Sequence, residues 1–230
     1  EPEAAASPGA VAGLSLGEYT ALCVAGVFTF EEGLELLKVR SKAMAEVFRL
    51  RPQAVLSVAG LELDVVRELC DELSVGGEVC KVTNLLFPRG FACAGTREAV
   101  ESLREMAMSR GAMQARIVSN RGASHTELMK PVQAPLEAAL KKLLPRMRPP
   151  RCDVYVNRTG QRVARGTPPS VFVPLLLEQL CNEVLWEAGI RNMVQDGLTD
   201  FFEVGPLTQL QSMMKRIDPT AGKSTNSVSI

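Results

Sequence analysis

At 230 residues the chain fits one domain of ordinary size or a large domain with a small insert, and 46% apolar residues are ample for a core. Lys plus Arg and Asp plus Glu balance at 26 each, which gives no overall electrostatic bias toward nucleic acid or a membrane surface. The sequence shows no apolar run long enough to span a bilayer, no secretory signal, and no phosphate-binding or dinucleotide glycine motif.

The first predicted feature is a turn. Gly13-Leu14-Ser15-Leu16-Gly17 follows a short apolar stretch, Ala10 to Ala12, and precedes helix-forming residues. Gly-x-Ser-x-Gly spells a nucleophile elbow, a serine held on a sharp strand-to-helix turn. The glycines are expected where the turn leaves no room for a Cβ on either side. The following helix, Glu18 to Ala25 with Gly26 as its stop, would direct free N–H groups and positive potential toward Ser15.

Thr29-Phe30-Glu31-Glu32 reads as a capping box opening a helix to about Phe48. Gly33, Leu37, Met44 and Val47 form its expected apolar row, and Arg40 falls in the same row. A guanidinium there is costly unless it is paired or reaches the helix edge. The rhythm then changes. Val55–Leu61 reads as strand, Asp64–Leu73 as helix, Glu78–Asn84 and Phe91–Gly95 as strands. A helix capped by Thr96 runs to about Arg110, and Met113–Val118 is a strand. The β-α-β-β-α-β order is that of a ferredoxin-like unit.

His125 follows, and then a helix expected to be broken by Pro131 and Pro135. Asp153–Asn157 reads as strand, Phe172–Cys181 and Glu187–Gln195 as helices, and Asp200–Val204 as strand. Gly205-Pro206 turns into a final helix ending near Arg216. The expected fold class is α/β, with an α/β-hydrolase-like parallel-sheet core formed by residues 1–53 and 119–230. The ferredoxin-like subdomain, residues 54–118, interrupts it. The ends, Glu1-Pro2-Glu3 and Lys223 to Ile230, read as untethered.

A serine nucleophile needs a base, and His125 is the chain's one histidine. The six cysteines, Cys23, Cys70, Cys80, Cys93, Cys152 and Cys181, form no Cys-x-x-Cys, so no zinc spacing exists and no metal site is expected. Several lie in apolar runs, as free thiols of a reducing compartment do. A basic cluster, Lys141, Lys142, Arg146, Arg148 and Arg151, reads as a solvated helix end or a surface for an acidic protein.

Taken together, these segments resemble the malonyl-CoA:acyl carrier protein transacylase family over nearly the whole chain. Val11 to Tyr19 resembles its nucleophile motif, and Arg40, within Val39 to Met44, sits where the family places its carboxylate-binding arginine. Ser124-His125 followed by Leu128 to Pro131 resembles the histidine segment. Gln179-Leu180 followed by Val184 to Trp186 resembles the segment whose glutamine backbone carbonyl orients that histidine. Phe202 to Pro206 resembles the closing strand and turn, and Val82 to Pro88 looks most like the mitochondrial branch.

The resemblance implies malonyl transfer from CoA to the phosphopantetheine thiol of an acyl carrier protein, through an acyl-serine, in fatty acid synthesis. It implies no cofactor, since the pantetheine arm belongs to the partner. Ser15 and His125 would be catalytic, the Leu16 N–H an oxyanion donor, and Arg40 the malonyl carboxylate's partner. Leu14 and Asn84 would wall the acyl pocket, with Ser124 beside His125. Leu14 departs from the family's usual histidine or phenylalanine. The family's Gly-Gln-Gly-x-Gln strand, which supplies a second oxyanion donor, has no match before Ala10, so the chain is expected to be a fragment or catalytically impaired. The chain would act as a monomer or within a larger synthase. Its location would be intracellular, mitochondrial by the resemblance, with plastid or cytoplasm as alternatives. A polyketide-type acyltransferase, a serine hydrolase or thioesterase, and a non-catalytic paralogue are the competing readings.

Overall fold

The elbow strand, β1 (Ala10–Ala12), runs parallel to β6 (Asp153–Tyr155), which pairs antiparallel with β7 (Arg162–Val163). This is a computed structural model, and it describes residues 7–119 and 122–228. Between those strands come α1 (Gly17–Val24) and α2 (Phe30–Leu50). Then follow β2 (Gln53–Ala59), α3 (Leu63–Leu73), β3 (Cys80–Phe87), β4 (Gly90–Thr96), α4 (Arg97–Ser109) and β5 (Gln114–Ser119). A long helix, α5 (Lys130–Leu143), precedes β6. After β7 come α6 (Phe172–Gln179), α7 (Trp186–Gln195), β8 (Phe201–Val204), α8 (Gln209–Ile217), α9 (Pro219–Lys223) and β9 (Thr225–Val228). The architecture is mixed α/β.

The capping box forms as the sequence predicts. Thr29 accepts from the Glu32 N–H, and the Glu32 carboxylate accepts from the Thr29 N–H. The buried row of α2 is Gly33, Leu36, Arg40, Met44 and Val47, so Leu36 takes the place expected of Leu37. Both leucines lie three and four residues from Gly33 and Arg40, so spacing alone does not choose between them; the core does, burying Leu36 fully and Leu37 in part.

Residues of the inserted stretch fold as a four-stranded antiparallel sheet in the order β3-β4-β2-β5, with α3 and α4 packed on it. Leu56, Val58, Leu69, Val82, Cys93 and Leu103 form its core. Thr96 precedes α4 but does not cap it. Its hydroxyl turns instead to Glu78 and the Val79 carbonyl, tying β4 to the start of β3.

Three expectations change in the larger part. Its strands do not form one parallel sheet among the described residues: β8 and β9 make a separate parallel pair, and β1 and β8 each have a strand neighbour on one side. Pro131 and Pro135 do not break α5. Pro131 lies in the first turn, where the missing N–H has no helical partner anyway, and Pro135 forfeits a single bond while α5 runs on to Leu143. The C-terminal stretch is tied down rather than loose as far as Val228, and Ser229 and Ile230 lie outside the described residues. Asp218 caps α9 through the N–H groups of Thr220 and Ala221, and β9 pairs with β8 through Val228. Glu1-Pro2-Glu3 lies outside the described residues.

The largest core cluster packs α2, α5 and α6 around β6, with Leu22, Met129, Leu136, Leu140, Phe172 and Leu176 buried. A further cluster joins Val184, Trp186, Ile190, Phe201 and Met214, with Leu14 packed against it. No helix among the described residues is long and apolar enough to cross a membrane.

Candidate active site

Ser15 occupies the left-handed region, φ 54°, at the tip of the turn between β1 and α1. Gly13 permits this: a Cβ there would sit 1.9 Å from the Gly17 carbonyl oxygen. Gly17 differs from expectation, since a Cβ on it would meet open space. Only the glycine before the serine is required by steric fit. The turn closes with Gly17 N–H to Leu14 O, 2.9 Å, and Glu18 N–H to Ser15 O, 3.2 Å. The Leu16 N–H has no partner among the described residues and stands at the start of α1.

The Ser15 hydroxyl lies 2.8 Å from His125 Nε2. On the ring's other side Nδ1 lies 2.6 Å from the Gln179 carbonyl oxygen. A carbonyl can only accept, so the proton belongs on Nδ1 and Nε2 is free to take one from Ser15. His125 is also left-handed, φ 66°, and its own N–H donates to the Leu180 carbonyl at 2.8 Å, which fixes the ring against the end of α6. Burial pushes its pKa down to about 4, with the Arg40 charge adding to the effect, so the ring is a neutral base at neutral pH.

Two residues that the sequence reading did not place here complete the scaffold. Asn157, just past β6, accepts from the Ser15 N–H through Oδ1 at 2.6 Å and donates through Nδ2 to the Gly13 carbonyl at 2.7 Å. Glu18, fully buried on α1, accepts from the Asn157 N–H at 2.7 Å and from the Gln179 side-chain amide. Glu18 stood inside the elbow motif and was legible as an acid in an apolar setting. Asn157 gave no signal beyond ending an apolar strand run.

Arg40 is buried, with its guanidinium carbon 5.6 Å from the centre of the Tyr19 ring. It has no ion pair and no hydrogen bond among the described residues, and its Nε is a buried donor without an acceptor. Its charge reaches both His125 and Glu18. Ser124 is half-buried, and its N–H donates to the Gly122 carbonyl at 2.7 Å, shaping the turn that presents His125. Leu14 is half-buried beside the elbow. Asn84 sits on β3, accepts from the Thr83 hydroxyl at 2.9 Å and bridges to Val184; no hydrogen bond links it to Ser15, His125 or Arg40. A cavity of about 360 Å³ reaches His125 between the two parts of the molecule, lined by Lys81 and Val82 on one side and Thr126, Cys181 and Glu183 on the other. No cluster of metal-ligating side chains exists among the described residues.

The sequence pattern of the acyl transferase domain matches residues 4–224. The chain belongs to that family. It is 34% identical to the human mitochondrial malonyl-CoA-acyl carrier protein transacylase, an alignment covering 96% of this chain and 58% of that protein. The chain therefore spans less than two thirds of that relative's length. Its fold is similar to the malonyl CoA-acyl carrier protein transacylase of Coxiella burnetii, with TM-score 0.86 and 28% identity over 96% of this chain and 67% of the other. It is similar too to a malonyl-transacylase solved with its type II PKS acyl-carrier protein, with TM-score 0.87 and 27% identity over all of this chain and 71% of the other.

Proposed function

We propose that this acyl transferase domain moves a malonyl group from CoA to the pantetheine thiol of an acyl carrier protein, through an ester on Ser15. The observation that carries the reading is Arg40. A buried guanidinium with no ion pair and no hydrogen bond among the described residues is costly, and a planar carboxylate supplies a direct charge partner and two hydrogen bonds.

His125 takes the Ser15 proton at Nε2 as Oγ bonds the thioester carbon, and the Leu16 N–H receives the developing oxyanion. The C–S bond then breaks, and the proton passes from His125 to the departing CoA sulfur. A carrier thiol reverses the sequence, giving its proton to His125 and taking the malonyl group. The Gln179 carbonyl holds the His125 tautomer throughout, so no acidic third residue is required. The cavity beside His125 suits a pantetheine arm. Leu14, Asn84 and Ser124 are assigned to the acyl pocket and its rim.

The strand order of residues 53–119 supports a ferredoxin-like subdomain. The elbow on a strand–turn–helix supports an α/β-hydrolase-like core in the remainder, with the domain limits expected from the sequence. The mitochondrial relative supports a mitochondrial location. No metal or cofactor takes part in the proposed steps.

The test is incubation with malonyl-CoA and holo carrier protein. Malonyl ester on Ser15, absent in Ser15→Ala, and malonyl-carrier product are expected. Arg40→Ala should lose malonyl transfer by about 10²-fold or more while keeping acetyl transfer. Equal loss of both acyl groups would remove the carboxylate role. Free malonate without carrier product would instead mark a hydrolase.

A further inference from the structure

Five hydrogen bonds close a ring through the site. Ser15 Oγ meets His125 Nε2, and His125 Nδ1 meets the Gln179 carbonyl. The Gln179 side chain then meets Glu18, Glu18 meets the Asn157 N–H, and Asn157 Oδ1 returns to the Ser15 N–H. Glu18 is the ring's one carboxylate, and it lies on the side away from the reacting atoms. It joins the helix behind the nucleophile to the two segments that hold the serine and the histidine, the end of β6 and the end of α6.

We propose that Glu18 is a positioning residue: its carboxylate, by accepting from Asn157 and Gln179 together, holds Ser15 and His125 in register for nucleophilic attack. This rests on the Ser15–His125 pair acting as nucleophile and base, not on the identity of the acyl group.

The bonding pattern works in one protonation state. An ionised carboxylate accepts both N–H groups, while a protonated one turns an O–H toward a donor. Gln179 Oε1 is buried and has no partner, so it is the acceptor such an O–H would reach. Reaching it requires the Gln179 amide to turn over, which withdraws Nε2 from the Ser15 carbonyl, now 3.0 Å away. Protonating Glu18 therefore loosens the elbow and the residue whose carbonyl orients His125. The one charge that acts on Glu18 is that of Arg40 from α2, with Asn157 and Gln179 as neutral donors; the adjacent Tyr19 phenol, held neutral by burial, feels the Glu18 charge in turn. Burial raises its pKa to about 7, while His125 titrates far below that. A step in Ser15 reactivity near neutrality then belongs to Glu18 and not to the histidine.

The experiment labels Ser15 of the full chain with a fluorophosphonate, which needs no acyl donor: Oγ bonds phosphorus, fluoride leaves, and the proton passes through His125. The wild-type labelling rate is expected to fall about tenfold as pH drops through 7, since small misplacements of reacting groups cost that order. Glu18→Gln should label about tenfold to a hundredfold more slowly at pH 8 and show no step near 7. Gln179→Met keeps the backbone carbonyl and cuts the ring from the other end, so it should show the same loss even if Glu18→Gln does not fold. A Glu18→Gln rate that matches wild type, or that keeps the step near 7, overturns the proposal, as does a wild-type Ser15 that does not label. Labelling as expected alongside absent malonyl transfer would sink the malonyl assignment and leave this one standing.

Discussion

Gly13→Ala and Gly17→Ala separate two roles that the elbow motif writes with the same letter. The added methyl at 13 has a backbone carbonyl 1.9 Å away and nothing flexible to push aside. Urea unfolding is expected to show a loss of about 3 kcal/mol there, and a change of no more than about 1 kcal/mol, in the stabilising direction, at 17. Titration offers a second separation. The folded His125 prefers to be neutral, so its contribution to stability is complete above its ordinary value of 6.5 and is lost as pH falls through about 4. Glu18 acts in the opposite sense: the fold prefers it protonated, its contribution is complete below 4.5, and it is lost as pH rises through about 7. Each is worth roughly 3 kcal/mol at most, so the two nearly offset one another across the acid range. Relative to wild type, His125→Gln should gain roughly 3 kcal/mol as pH is lowered from neutrality to about 4, because the variant has no histidine to charge. A flat difference in denaturation midpoints over that range would show that the histidine is not buried neutral.

At the level of elements, the clearest untested contact is the cap that β8 provides for α8. Glu203 accepts from the N–H groups of Leu210 and Gln211, at 2.9 and 2.8 Å, one on each carboxylate oxygen. A carboxylate at a helix N-terminus satisfies orphan donors and meets the helix dipole. Glu203→Ala is expected to cost about 1–2 kcal/mol, with faster amide exchange at those two positions. Unchanged exchange there would deny the cap. Helices with local signals were legible in the sequence: the capping box at Thr29 and the apolar spacing of α2 need no knowledge of the rest of the chain. What escaped was non-local. β9 is short and mostly exposed, and only its pairing with β8 makes it a strand. Thr96 looked like a cap because threonine suits that place, but Glu78 lies within reach of its hydroxyl and takes it. The site divides the same way. Ser15 and His125 stood out as a motif and a single histidine, whereas Asn157 is one asparagine among several until the fold sets it behind the elbow.

Across the whole molecule, the inserted unit is fastened to the remainder chiefly through β3, which packs against α7 and α8. Backbone bonds tie β3 to residue 184, Leu85 N–H to Val184 O and Val184 N–H to Thr83 O, each 2.9 Å. Arg67 reaches both carboxylate oxygens of Glu183, at 3.1 and 2.8 Å, and Arg216 stacks 4.4 Å over the Phe87 ring. The ion pair is largely solvated, so Arg67→Ala is expected to cost less than about 1 kcal/mol, and that small cost should vanish in high salt. A larger, salt-independent loss would mean that the side chain's packing, not its charge, joins the two parts.

Ser15 and His125 both hold left-handed backbones that residues with a Cβ adopt at a cost of about 1–2 kcal/mol each. Reactivity and robustness thus pull apart at the same two positions. Glycine at either one relieves the strain and removes the nucleophile or base of the proposed mechanism, so under that mechanism variants chosen for heat resistance alone would drift toward an inert protein. A library of this chain sorted by melting temperature should be enriched, at 15 and 125, in the substitutions that silence it.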